Sequence, residues 1–213
     1  IIWTENGAGS ITAGATTLTP VYTAAAGDAG NTVTLTMTVS NAPCTNATAT
    51  YSVIVSTSPT ASAGGSQTIC QNGTATVSGA SSANGTILWT ENGSGSITAG
   101  ATTLTPVYTA AAGDAGNTVT LTMSVSNAPC ADATAIYSVV VQGSPTASAG
   151  GSQTICQNGT ATVSGADSSN GTILWTENGA GTITAGATTL TPVYTAAAGD
   201  AGNTVTLTMT VSN

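Results

Sequence analysis

Hydrophobic and polar positions alternate along much of this chain. In Thr118-Val119-Thr120-Leu121-Thr122-Met123-Ser124-Val125-Ser126, every second residue is apolar and every other one carries a hydroxyl. A period of two over nine residues predicts a half-buried antiparallel strand, with Val119, Leu121, Met123 and Val125 facing inward. Tyr137, Val139 and Val141 continue the pattern in a following strand. Thr74–Ser78 and Ile87-Leu88-Trp89-Thr90 predict two more. Clusters rich in Gly, Asn and Asp punctuate them: Asn84-Gly85, Asn92-Gly93-Ser94-Gly95 and Gly113-Asp114-Ala115-Gly116-Asn117. Such residues tolerate positive φ or hydrogen-bond their own backbone, so they predict turns. Ala110-Ala111-Ala112 favours helix but is too short to nucleate one, and no stretch carries a helical stripe.

The pattern recurs with a fixed period. Trp3, Trp89 and Trp175 are 86 residues apart and each opens the phrase Trp-Thr-Glu-Asn-Gly. Residues 1–60 match 87–146 at 51 of 60 positions, and residues 61–127 match 147–213 at 62 of 67. A unit of 86 residues exceeds the 20–50 of a solenoid repeat and suits an independent small sandwich. The expected architecture is all-β: tandem Ig-like, or PKD-like, antiparallel β-sandwiches of about seven strands, arranged as beads on a string. Ser56–Thr60 and Gln142–Thr146 lack apolar periodicity and read as linkers. The expected domains are 1–57, 58–143 and 144–213. The central one is complete, the first lacks its beginning and the third its end. Ile1-Ile2-Trp3 reads as strand interior, so the chain is expected to be a window onto a longer array. Trp3, Trp89, Trp175, Tyr22, Tyr108 and Tyr194 are the expected core anchors, joined in the central unit by Leu104 and Val107.

Composition narrows the chemistry. The 213 residues include 8 acidic side chains and no Lys, Arg or His, for a net charge of −8. Without cations the chain has nothing to neutralise nucleic-acid phosphates or to approach an anionic membrane. Ser-His-Asp triads, Schiff bases and phosphoryl clamps are excluded. No apolar run approaches 18 residues, so no membrane-spanning segment is expected. No signal peptide is visible at the start. Mean hydropathy is +0.25, which is unlike a disordered chain.

The acidic residues are Glu5, Asp28, Glu91, Asp114, Asp132, Asp167, Glu177 and Asp200. Each unit repeats one Glu after its Trp and one Asp in a Gly-rich turn. Asp132 and Asp167 have Asn46 and Ser81 as counterparts, so they belong to no repeated site. Near-identical tandem copies are a poor setting for an active site; no enzyme is expected and the Asp is read as a turn former. Calcium takes six to eight oxygens, which Glu91 and Asp114 would serve only by converging. The Thr-rich strand faces and the Trp could offer hydroxyl arrays or sugar stacking, but read first as solvent face and core. Asn46, Asn72, Asn84, Asn158 and Asn170 stand in Asn-x-Thr sequons.

Cys44, Cys70, Cys130 and Cys156 follow the same period. Each full unit has one early and one late cysteine. The expected disulfide is Cys70–Cys130, worth about 4 kcal/mol at most, with Cys44 and Cys156 paired outside the window. The alternatives are a Cys44–Cys70 staple across the linker and free thiols. Two cysteines per unit and no His are too few for a metal site. Paired cysteines imply an oxidising compartment.

The order Trp-Thr-Glu-Asn-Gly, Leu104-Thr105-Pro106-Val107-Tyr108-Thr109 and Gly116–Asn127 resembles PKD-like and other Ig-like repeats of bacterial surface proteins. Ala63-Gly64-Gly65-Ser66-Gln67-Thr68-Ile69-Cys70 looks like the domain start in giant adhesins of the Bacteroidetes, such as SprB-type gliding adhesins exported by type IX secretion. The acidic loop that follows the Trp in PKD domains is here Trp-Thr-Glu-Asn-Gly-Ser-Gly, so no role of that loop carries over. The resemblance implies an extracellular, bacterial cell-surface segment that acts as stalk or spacer. Its partners would be neighbouring repeats of the same chain, with the adhesive tip elsewhere. A repeated glycan-binding module and a subunit of a multi-chain fibre are the other readings. A ten-residue strand spans roughly 34 Å, so a rise of about 35–45 Å per repeat is expected.

Overall fold

A computed structural model describes all residues, Ile1–Asn213. It is all-β apart from three single 3-10 turns, at Ala26–Asp28, Ala112–Asp114 and Ala198–Asp200. The first repeat holds β1 (Ile2–Glu5), β2 (Ser10–Ala13), β3 (Val21–Thr23), β4 (Thr32–Val39) and β5 (Ala47–Ile54). The second holds β6 (Thr60–Ser62), β7 (Ser66–Cys70), β8 (Thr74–Thr76), β9 (Ser81–Ala83), β10 (Thr86–Glu91), β11 (Ser96–Ala99), β12 (Val107–Thr109), β13 (Thr118–Ser126) and β14 (Ala133–Gln142). The third holds β15 (Thr146–Ser148), β16 (Thr160–Thr162), β17 (Asp167–Ser169), β18 (Thr172–Glu177), β19 (Thr182–Ala185), β20 (Val193–Thr195) and β21 (Leu207–Ser212).

In the second repeat, a four-stranded sheet runs β10-β13-β14-β7 and a three-stranded sheet runs β11-β12-β8; β6 and β9 form a separate pair. All pairings are antiparallel except β14 with β7, which is parallel. This is a tandem Ig-like sandwich, with nine strands in the second repeat because β6 and β9 add a short pair to the expected seven. The alternation read from the sequence decides the faces. In β13, Val119, Leu121, Met123 and Val125 are all buried, and the hydroxyl residues between them are half-buried or exposed. They pack with Trp89, Tyr108, Tyr137, Val139, Val141, Ala75 and Val77 in one core. Leu104 departs from expectation. It is 38% exposed, because it sits in the turn before β12 rather than on a strand.

The flanking repeats carry the same sequence in unequal completeness. Trp175 and Tyr194 are buried, but Trp3 and Tyr22 are only half-buried. The first repeat contains no counterpart of β6–β9 to cover them. In the third repeat, 152–156 duplicates the sequence of β7 yet joins no ladder. The strand that β7 pairs with, β14, has no counterpart in the third repeat. A cleft of about 880 Å³ lined by Ile155, Trp175, Val205 and Leu207 lies in that place. It holds no group of three or more His, Cys, Asp or Glu.

Candidate functional site

Three features repeat and involve polar side chains: a carboxylate knot, the junctions between repeats, and the cysteines.

The knot is centred on Asp114. Its Oδ1 accepts the Ser94 amide at 2.6 Å, and its Oδ2 accepts the Gly95 amide at 3.0 Å, the Ala111 amide at 2.8 Å and the Tyr108 hydroxyl at 2.7 Å. Asp28 receives Ala8, Gly9, Ala25 and Tyr22 in the same way. Asp200 receives Ala180, Gly181, Ala197 and Tyr194. The local cause is the 3-10 turn, which carries the Asp back over the amide of the residue preceding it. The tertiary cause is the Gly-rich loop after β10, whose amides point at the carboxylate. That loop must be glycine-rich. A Cβ on Gly93 would strike the Tyr108 hydroxyl, and one on Gly95 would strike the Thr109 carbonyl.

Burial would raise the Asp114 pKa, but the hydrogen bonds from Tyr108, Ser94, Ala111 and Gly95 outweigh it and hold the carboxyl below its ordinary range. Burial and the anionic Asp114 beside it push the Tyr108 phenol up to about 12. The carboxylate is therefore ionised and saturated with donors. It has no free oxygen facing solvent with which to act as a base. Glu91, expected to converge with it if calcium bound, is half-buried at the end of β10. No group of three or more His, Cys, Asp or Glu stands together. The turn-forming Asp predicted from sequence is thus also a tertiary clamp between the turn, β12 and the loop after β10.

Trp89 is buried, with its Nε1 donating to the Thr103 carbonyl at 2.8 Å. Trp3 and Trp175 make the same bond to Thr17 and Thr189. The indole thus fixes the turn that follows β11, and in β10 it faces the core.

Sequence reasoning read Ser56–Thr60 and Gln142–Thr146 as linkers but did not find the side chains that hold them. Val55 is still tied to the first repeat, donating to Asn31 and accepting from Gly30. Two residues later the chain is already held by the second repeat. Asn127 Nδ2 donates to the Thr57 carbonyl at 2.8 Å, and Asn84 Nδ2 to the Ser58 carbonyl at 3.2 Å. Ser56 stands between, and its carbonyl faces Cys130 Sγ at 3.6 Å. The next junction repeats the pattern. Asn213 donates to Gly143 at 3.1 Å and Asn170 to Ser144 at 3.1 Å. Asn84 and Asn170 hold left-handed φ values of 57° and 56°, which Asn tolerates better than other non-glycine residues. Their sequon reading missed this. The available signal was the Asn closing each Thr/Val strand at 41, 127 and 213.

All four cysteines are free thiols in this structure. The expected Cys70–Cys130 bridge does not fit. Cys70 ends β7 in register with Gln142, the last residue of β14. Cys130 precedes the first residue of β14. Ten residues of strand, roughly 30 Å, lie between them, whereas a disulfide needs Cα atoms within about 7 Å. Cys44–Cys70 fails for the same reason: Cys44 precedes β5 at the far end of the first repeat, and Cys70 lies at the far end of the second.

No family profile and no curated protein matches this chain. Solved structures similar to it include the eight N-terminal Ig domains of Down syndrome cell adhesion molecule, at 14% identity and TM-score 0.46. That alignment covers 85% of this chain and 31% of the other. Others are Sidekick-1 immunoglobulin domains 1–4, at 12% identity and TM-score 0.42, covering 100% and 67%, and a protocadherin gammaB7 EC3-6 structure, at 14% and 0.42, covering 97% and 64%. The chain thus spans about a third of the first of these. At such identities and scores no activity or partner is transferred.

Proposed function

We infer that this chain is a load-bearing spacer: a segment of a long extracellular stalk on a bacterial surface, of the kind found in gliding adhesins. The observation that carries this reading is the pair of junctions. Each is pinned by two asparagine side chains at equivalent positions; one residue, Ser56, separates the two grips in the first, and none does in the second, where Gln142 still pairs with β7. A junction with no slack sets successive repeats at a repeated spacing, which suits a component whose product is length. The three repeated Asp carboxylates support the same reading, since each is spent on holding a turn. So does the absence of Lys and Arg, which leaves trypsin-like proteases no cleavage point in an exposed chain.

Small-angle scattering on chains of two, three and four repeats tests it. A stalk lengthens by about 35–45 Å per added repeat. A maximum dimension that stays flat as repeats are added, or that grows through multi-chain association, overturns the reading.

A further inference from the structure

The two junctions each display one half of a cysteine pair. In the first, the late cysteine is present: Cys130 Sγ stands 3.6 Å from the Ser56 carbonyl oxygen. In the second, the early cysteine is present: Cys70 is the ladder neighbour of Gln142, and the amide of Gln71 donates to the Gln142 carbonyl at 2.8 Å. Gln142 stands one 86-residue period after Ser56. The two carbonyls are therefore the same position of the repeat. The junctions are also built alike, since Asn213 grips Gly143 as Asn127 grips Thr57. Overlaying them places the late cysteine on the carbonyl of one residue and the early cysteine beside that same residue in the ladder, one from each repeat.

The geometry points to a disulfide across every complete junction, joining the Cys70-type thiol of one repeat to the Cys130-type thiol of the next. This rests on reading the chain as part of a longer tandem array. Both sulfurs are accessible, Cys70 being exposed and Cys130 half-exposed. Formation follows thiolate–disulfide exchange. A small-molecule disulfide such as glutathione disulfide takes two electrons and becomes two thiols. The two cysteines lose two protons and form one S–S bond.

The pairing has a mechanical consequence. From Cys130 the chain runs along β14, through the linker and β15, to Cys156, a separation of 26 residues. That path begins at the near end of the second repeat and finishes at the far end of the third. Fully extended it spans about 90 Å, against about 70–90 Å for two repeats at the expected rise. With a bridge at each end, tension passes along a covalent path that is largely strand from Ala133 to Gln142, and the residues outside it are shielded. Reduced, the same repeats have no such bypass.

The test is to extend the 213-residue chain by a copy of residues 128–142, which supplies the late cysteine three positions after Asn213. The purified protein is oxidised with glutathione disulfide, digested under non-reducing conditions with a protease that cuts after Tyr and Trp, and mapped by mass spectrometry. The expected product links the Cys70 peptide to the appended cysteine. It disappears in Cys70→Ser and persists in Cys130→Ser. A Cys70 that stays free after oxidation, or that pairs with Cys44, Cys130 or Cys156, overturns the proposal. Scattering on the same samples separates this from the stalk reading. A chain that scales in length but forms no bridge rejects only the disulfide.

Discussion

At the scale of single residues, Asp114 and Tyr108 decide most. The carboxylate collects a phenol and three amides, so Asp114→Ala leaves four donors without an acceptor. The expected loss is about 2–4 kcal/mol of stability, read from the urea midpoint. Tyr108→Phe removes one donor and costs about 1 kcal/mol. The pH dependence has two limbs. Asp114 titrates lower in the native state than in the unfolded chain, where a carboxyl sits near 4. Its stabilisation is therefore complete above about pH 4 and is lost as pH falls through the native value. Tyr108 behaves oppositely. The native phenol is pushed up to about 12 against about 10 unfolded, so the native state holds the proton more tightly. That stabilisation is complete below about pH 10 and disappears as pH rises towards 12. Denaturation midpoints measured from pH 2 to 12 should form a plateau with a fall at each end, and Tyr108→Phe should shrink the alkaline fall. The turn-forming role of the Asp was legible in Ala-Gly-Asp-Ala-Gly-Asn. Its partners were not, because the Ser94 and Gly95 amides lie 20 and 19 residues upstream and meet it only once the sheets have packed.

At the scale of elements, the two-residue period is decisive for faces and silent about partners. Leu121 in β13 is fully buried, whereas its copy Leu207 in β21 is half-buried. Leu121→Ala should cost about 2–5 kcal/mol. The chemically identical change at Leu207 should cost markedly less, measured by hydrogen exchange at the two strands. Tyr137 and Tyr51 make the same point: one is 3% exposed and the other 64%. Ser66–Cys70 and residues 152–156 share one sequence, but only the first is a strand. β-structure is completed by hydrogen bonds from another segment, and β14 supplies them only once among these residues. The parallel pairing of β7 with β14 had no signature in either strand alone. It is the pairing that moved Cys70 away from Cys130.

At the scale of the molecule, the junctions control shape. Asn84→Gly, which keeps the left-handed backbone unstrained, with Asn127→Ala removes both side-chain grips on the first linker without touching the core. Thermal unfolding should shift little, while scattering should report a broader distribution of inter-repeat distances than the parent gives. An unchanged distribution would mean that packing between repeats, rather than these two amides, holds the junction. The amino-acid sequence by itself determined the repeat, its 86-residue period, the all-β class, the inward residues of the long strands, and the lack of cationic chemistry. Each of these is local or compositional: alternation follows from the pleat, and missing side chains exclude whatever needs them. The tertiary structure alone decided which carboxylate oxygens are occupied, which copies of a residue are buried, how one repeat holds the next, and at which end of the sandwich each thiol lies. These depend on segments far apart in the chain meeting in one register. A period of two leaves that register open and packing closes it, because only one alignment buries the apolar face and satisfies the backbone at once.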